Sequence, residues 1–263
     1  ASCLQVDSRF SDVVVEGRWT GAFSGEWRRP DVRAVFEGIP VAFEIQLSTT
    51  YINVIAQRRE FYRREGGLLF WVFASFNLDA RRLTQDDVFY NNNRNAFVVN
   101  QRTRDESLQS RRFLLDCVWA EPRPGGGVDG LRRDQVAFDS LTLDQANQRA
   151  YHFDFDGARN RLELEARAQV LARQKLLRDE FEAWFINMVS TKELDSQTWA
   201  QLHRRLADEG VPVSEYIGML PKGLLNALYS TKHGRVVGWD FSSFIQIAHY
   251  IEPGHRKYLH YFR

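Results

Sequence analysis

Lysine is almost missing from this chain: 5 Lys stand against 30 Arg among 263 residues. Two readings of that bias stay open. One is the codon usage of a GC-rich bacterial genome; the other is a need for guanidinium forks, which suit phosphate contacts. Cysteine is as scarce, with only Cys3 and Cys117, far apart in sequence. That excludes a CxxC metal motif and gives no basis for a secreted disulfide scaffold. No apolar run approaches the roughly 18–20 residues that a bilayer span needs, and no signal-peptide pattern is visible. We therefore expect no membrane partner and a soluble, cytoplasmic protein. The chain opens Ala-Ser-Cys without methionine, as a processed or trimmed start would.

What is present is enough for a packed core. Hydrophobic residues make up 44% and aromatics 13%, which argues against disorder. The length allows one large domain or a core domain with a smaller partner. The pattern divides near residue 160, into a mixed α/β region over 1–160 and a helical region over 161–263.

The N-terminal region reads as β-rich. Asp12–Trp19 carries the β-branched run Val13-Val14-Val15, and Trp27–Glu37 alternates with Val32, Ala34 and Phe36 on one face. Glu37-Gly38-Ile39-Pro40 reads as a tight turn. Val41–Leu47 then puts Val41, Phe43, Ile45 and Leu47 on one face, and Ala42, Glu44 and Gln46 on the other. Ser48-Thr49-Thr50 offers capping hydroxyls for a helix over about Tyr51–Glu65, which Gly66-Gly67 ends. Leu68–Phe73 is a continuous apolar run, the mark of a strand buried on both faces.

Beyond that, strands are expected at Ala96–Asn100 and near Phe113–Trp119, with a loop over Pro122–Gly130. A long helix follows over Arg161 to about Ser190. Shorter ones are expected at Ser196–Glu209, Val213–Met219, Lys222–Tyr229 and Phe241–Tyr250. The long helix could pack in a bundle, or form a surface for a homo-oligomer or partner protein.

The chemistry concentrates at Asp31 and Glu44. Both acids lie in strands flanked by apolar residues, where a charge costs several kcal/mol (about that much per ion) unless compensated. A divalent cation is one compensation. Mg²⁺ takes few carboxylates and keeps waters and substrate phosphates. The bland alternative is an ordinary ion pair with Arg28, Arg29 or Arg33.

The residues Arg29-Pro30-Asp31-Val32, Phe43-Glu44-Ile45-Gln46-Leu47-Ser48, Arg58 with Tyr62, and Trp71-Val72-Phe73 resemble the PD-(D/E)XK nuclease superfamily. More narrowly, they look like its competence CoiA-like branch. The resemblance spans about residues 13–73. It implies a restriction-endonuclease-like core, a mixed sheet with flanking helices, followed here by the helical C-terminal region. It implies Mg²⁺ or Mn²⁺ held by Asp31, Glu44 and the Ile45 carbonyl, with Gln46 at the position usually held by lysine. It implies hydrolysis of DNA phosphodiesters, in bacterial DNA processing or defence against foreign DNA, with Arg58 and Tyr62 oriented on the substrate strand or supporting the site.

Two features depart from the pattern. Gln46 brings no charge and can only orient a water. The Cys/His-rich segment usual before the nuclease core is absent, unless Cys3 is its remnant. Two alternatives stand beside the enzyme: a DNA-binding module that kept the fold without activity, and an interaction protein recruiting a partner through its helices. Gln57, Ser48 and Thr49 are weaker companions of the site, capping being the plainer role for the last two. Glu16 reads as a surface acid that could assist the metal. His249, His255 and His260 read as structural or surface groups, and Thr231–Arg235 as a plain loop or a basic turn that meets a phosphate.

Overall fold

The computed structural model describes residues 1–22, 25–46, 52–78, 83–193, 195–211 and 223–256. The chain divides into two compact units, Ala1–Glu163 and Leu164–Arg263.

The first unit is α/β. A short helix α1 (Ser2–Val6) precedes strand β1 (Phe10–Val15), the two-residue strands β2 (Trp19–Thr20) and β3 (Trp27–Arg28), then β4 (Val32–Phe36) and β5 (Ile39–Gln46). Helix α2 (Ile52–Arg64) leads to β6 (Leu68–Phe73), α3 (Leu83–Asn91), β7 (Asn95–Val98), α4 (Gln101–Ser110), β8 (Leu114–Pro122) and β9 (Val128–Ala137). Strands β10 (Thr142–Asp144) and β11 (Arg149–Tyr151) close the unit as a small hairpin. Seven strands form one mixed sheet in the order β1-β4-β5-β6-β7-β8-β9. The β5–β6 and β6–β7 pairs are parallel and the others antiparallel.

Local chemistry explains the central strands. Phe36 pairs with Ile39, so Glu37 and Gly38 alone make the turn, with φ of 48° and 86°. Two successive positive φ angles are what a two-residue hairpin loop demands, and glycine meets the second without penalty. Alternation along β5 then sends Val41 and Phe43 to one side and Ala42 and Glu44 to the other. The first side holds the main core, where the Phe138 ring meets Phe36, Phe10 and Phe70 at 4.8–5.1 Å. On the second side Ala42 and Leu69 pack under Phe61 and Tyr62 of α2. Strand β6 is covered on both faces, which is why it reads as an unbroken apolar run.

Several expectations shift. Trp27–Glu37 is not one strand: Arg29–Asp31 interrupts it, and β3 and β4 belong to different sheets. Helix α4 was not expected. Its sequence QRTRDESLQS lacks an apolar stripe, and it forms on a reciprocal cap between Asn100 and Thr103. Strand β9 was missed because most of it is exposed; its pairing with β8 makes it a strand. The expected helix at Val213–Met219 and the capping hydroxyls of Ser48-Thr49-Thr50 lie outside the described residues.

The second unit is helical. Helix α5 (Phe155–Thr191) starts earlier than expected and carries the chain from the first unit into the second. Helices α6 (Ser196–Asp208), α7 (Leu224–His233) and α8 (Phe244–Gly254) follow. Phe181, Phe185, Leu202, Leu206, Leu225 and Tyr229 form its core, and Trp184 stacks on Trp199 at 4.6 Å. Among the described residues no helix is long and apolar enough to cross a membrane.

Asn95 ties the first unit together. It is fully buried, donates to the carbonyls of Asn93 (2.7 Å) and Phe153 (2.8 Å), and accepts from the backbone N–H groups of His152 and Phe153. Removing the amide leaves four buried or half-buried backbone groups without that partner. Asn95→Ala is expected to cost about 3 kcal/mol or more, read as a lowered urea midpoint at unchanged m-value.

Candidate active site

Antiparallel pairing of β4 with β5 sets the geometry. Val32 pairs with Phe43, so Asp31 and Glu44 come next in the same register. Cross-strand neighbours share a face, and here the two carboxylates come close enough for Asp31 to make Glu44 harder to ionise. Asp31 is half-buried. Its Oδ2 accepts the Ile45 backbone N–H at 2.6 Å, which fixes the carboxylate across the end of the pair. Its own carbonyl accepts the Glu16 N–H at 2.9 Å.

Glu44 is 2% exposed. Arg58, one-third exposed on α2, donates through Nη1 to Glu44 Oε2 and neutralises the charge. The other oxygen, Oε1, is buried without a hydrogen-bond partner, as is the hydroxyl of Tyr62 above it. The Tyr62 hydroxyl is near enough to ease ionisation of Glu44, yet the two do not meet as a formed hydrogen bond. Burial is the largest influence on Glu44 and the nearby Asp31 adds to it, so its pKa rises to about 7 despite Arg58. Burial also raises the Tyr62 hydroxyl, helped by the Glu44 charge.

Tyr62 is fully buried, with Trp19 edge-on at 5.1 Å. A side chain so enclosed supports the carboxylate and offers no surface to a nucleic acid. Arg58, held on Glu44, is first of all its counter-ion. Gln46 lies two residues beyond Glu44 on the same strand and is half-buried, so alternation keeps it on the Glu44 face. Arg28, Arg29 and Arg33 do not pair with the acids in the way the bland reading expected: Arg29 pairs with Glu16, Arg28 with Glu26. Glu16 is thereby an exposed, paired acid. Lys232 and His233 both bond Glu182 in the second unit. His249 and His255 also belong to that unit, and His260 lies outside the described residues.

The donors suit a hard cation. Two carboxylates, one with an orphaned buried oxygen, are the kind of set that Mg²⁺ or Mn²⁺ completes with water. Among the described residues no group of three or more His, Cys, Asp or Glu side chains gathers, so a cation here would draw on main-chain oxygen, water or substrate as well.

Sequence reasoning gave no site role to two neighbours, although Trp71 stands among the residues that carry the resemblance. Trp71 pairs with Glu44 across β5–β6, and it also lines a cavity of about 430 Å³ on the far flank of α2, with Arg59, Asp87 and Asn147. Neither Asp31 nor Glu44 lines that cavity; the carboxylates sit at the sheet end. Trp19 was missed because its partner Tyr62 is distant in sequence. The pair Trp19 and Trp27, with Gly21 and Gly25 between them, is the hairpin signal that was available.

A family model matches residues 12–156, more than half of the chain. The chain belongs to the family described as Domain of unknown function (DUF6035). The DUF6035 match runs from β1 into the first turn of α5 and contains Asp31, Glu44, Gln46, Arg58 and Tyr62. No curated protein and no solved structure matches the chain.

The raised pKa of Glu44 makes a stability prediction for the metal-free protein. A carboxyl whose folded pKa, about 7, exceeds its usual 4.5 favours folding fully below 4.5, and the gain is lost as pH rises through 7. In chelator, wild type should lose roughly 3 kcal/mol of stability over that window. Glu44→Gln should lack that slope in denaturant titrations at stepped pH.

Proposed function

We propose that this chain is a metal-dependent nuclease of the PD-(D/E)XK type that hydrolyses phosphodiester bonds in DNA. The observation that carries the reading is the cross-strand pair Asp31 and Glu44, with Glu44 Oε1 buried and unpartnered beneath α2. An isolated carboxylate oxygen in that position costs free energy in a purely structural role, and a cation-binding role accounts for it.

Asp31, Glu44 and the Ile45 carbonyl would hold Mg²⁺ or Mn²⁺. When bound, the ion supplies Lewis-acid polarisation of the phosphate and acidification of water. The chain's own residues do the positioning. The Ile45 N–H orients Asp31. Arg58 holds Oε2 of Glu44, which favours the ionised carboxylate and leaves Oε1 without a hydrogen bond of its own. Tyr62 and Trp19 close the space behind it and exclude water. Gln46 orients the attacking water by hydrogen bonding. A site at the end of a sheet, outside the cavity that Trp71 lines, suits a polymer substrate.

The amide at Gln46 favours one other reading, a DNA-binding module that keeps the fold without cleaving. Cleavage decides between them. Labelled single- and double-stranded DNA with Mg²⁺ or Mn²⁺ should be cut by wild type, and Asp31→Ala or Glu44→Ala should slow cutting by about 10²-fold or more. Mn²⁺ should raise the melting temperature of wild type and leave Glu44→Ala unmoved. Equal cutting by wild type and Glu44→Ala would remove the assignment; binding without cutting in both supports the module.

A further inference from the structure

The polypeptide that delivers Asp31 carries a second feature. Strands β2 and β3 form a separate two-stranded ribbon, with Trp19 opposite Arg28 and Thr20 opposite Trp27. Partners in such a pair point to the same side, so the ribbon has two distinct faces.

The inner face is docked on α2. Trp19 meets Tyr62, and the Arg28 guanidinium lies over the Phe61 ring at 4.9 Å. Glu26 pairs with Arg64 of α2 at 3.2 Å. A Cβ on Gly67 would come within 2.5 Å of the Trp19 ring, so a glycine there is what lets the ribbon sit down. The ribbon is thus a fixed element.

The outer face is different. Trp27 is 51% exposed, and the Arg18 guanidinium lies 4.8 Å from its ring centroid. Four arginines, Arg18, Arg28, Arg29 and Arg33, stand against three acids, Glu16, Glu26 and Asp31, in the stretch from Glu16 to Arg33. Arg28 is paired with Glu26 and Arg29 with Glu16. Among the described residues, Arg18 and Arg33 have no carboxylate partner, and Arg33 Nε is buried without an acceptor. An exposed tryptophan with the Arg18 guanidinium against its ring, and Arg33 bonded to the Arg18 carbonyl, combines a stacking platform with positive charge.

Position gives the feature its use. From Trp27 to Asp31 is four residues, at most about 14 Å of chain, which a few nucleotides of strand can span. A tryptophan face can stack only on a base whose own face is free, and in a duplex the bases cover one another.

We propose that the β2–β3 ribbon is the substrate-strand platform of this site: Trp27 stacks an unpaired base while Arg18 and Arg33 meet the flanking phosphates, so that the protein engages single-stranded DNA beside Asp31. The choice of DNA and of hydrolysis rests on the reading above; the ribbon's binding of an unpaired base does not.

The test is binding of a fluorescein-labelled 20-mer single strand, and of its duplex, to the full chain in EDTA, followed by anisotropy. Wild type should bind the single strand more tightly than the duplex. Trp27→Ala should weaken single-strand binding about tenfold, and Trp27→Phe should restore most of it. Arg18→Ala should flatten the salt slope of single-strand binding by about 0.7. Circular dichroism and melting of Trp27→Ala, an exposed position, should match wild type. Single-strand binding that Trp27→Ala leaves unchanged, or equal affinity for both DNAs, would overturn the proposal. Binding needs no metal, so the two readings separate. Trp27-dependent binding without Mg²⁺ or Mn²⁺ cleavage keeps the platform and removes the nuclease, whereas cleavage indifferent to Trp27 does the reverse.

Discussion

A carboxylate held out of water at the end of a sheet constrains everything around it. Arg58 reaches Glu44 from α2 and offsets part of the burial that favours its protonated form, and it reaches it because the β5–α2–β6 crossover lays that helix over the strand. Removing one member of a buried pair costs more than the pair contributes, because the survivor is left uncompensated. The crossover, the ion pair and the closure by Tyr62 and Trp19 are therefore interdependent.

The position of β5 makes this arrangement possible. It is antiparallel to β4 on one side and parallel to β6 on the other. The antiparallel side comes from a two-residue turn and brings Asp31 into register with Glu44. The parallel side requires a crossover, which supplies the helix carrying Arg58 and Tyr62. One strand therefore gathers a second acid from one neighbour and a counter-ion from the other. The phenylalanine cluster around Phe138, on the opposite face, anchors the strand so that Glu44 cannot turn away into solvent.

Much of this was legible. The alternation in VAFEIQ puts Glu44 and Gln46 on one face, and the turn read at Glu37–Pro40 brings the strand of Asp31 alongside, with no reference to a family. The unbroken run LLFWVF announced a strand covered on both sides. Elements without apolar periodicity were not legible. Helix α4 rests on an Asn100–Thr103 cap, and β9 on its neighbour; neither has a hydrophobic pattern of its own. The ribbon is not visible as a separate element in the sequence, because Val32, Ala34 and Phe36 alternate in a stretch from Trp27 that the backbone breaks at Arg29–Asp31.

By itself, then, the sequence determined which side chains share a face of a strand or helix, since that follows from local periods of two and 3.6 residues. It brought Asp31 and Glu44 onto neighbouring strands through a turn read over Glu37–Pro40, and the structure shortened that turn to Glu37-Gly38 and so set their register. Only the tertiary structure decided that Arg58 would serve as counter-ion, that Tyr62 would be enclosed, and that Trp19 would dock a ribbon while Trp27 stayed in solvent. Those outcomes depend on how α2 packs across β5 and β6 and on the space Gly67 leaves. Contacts between segments far apart in sequence have no period, so no local pattern encodes them.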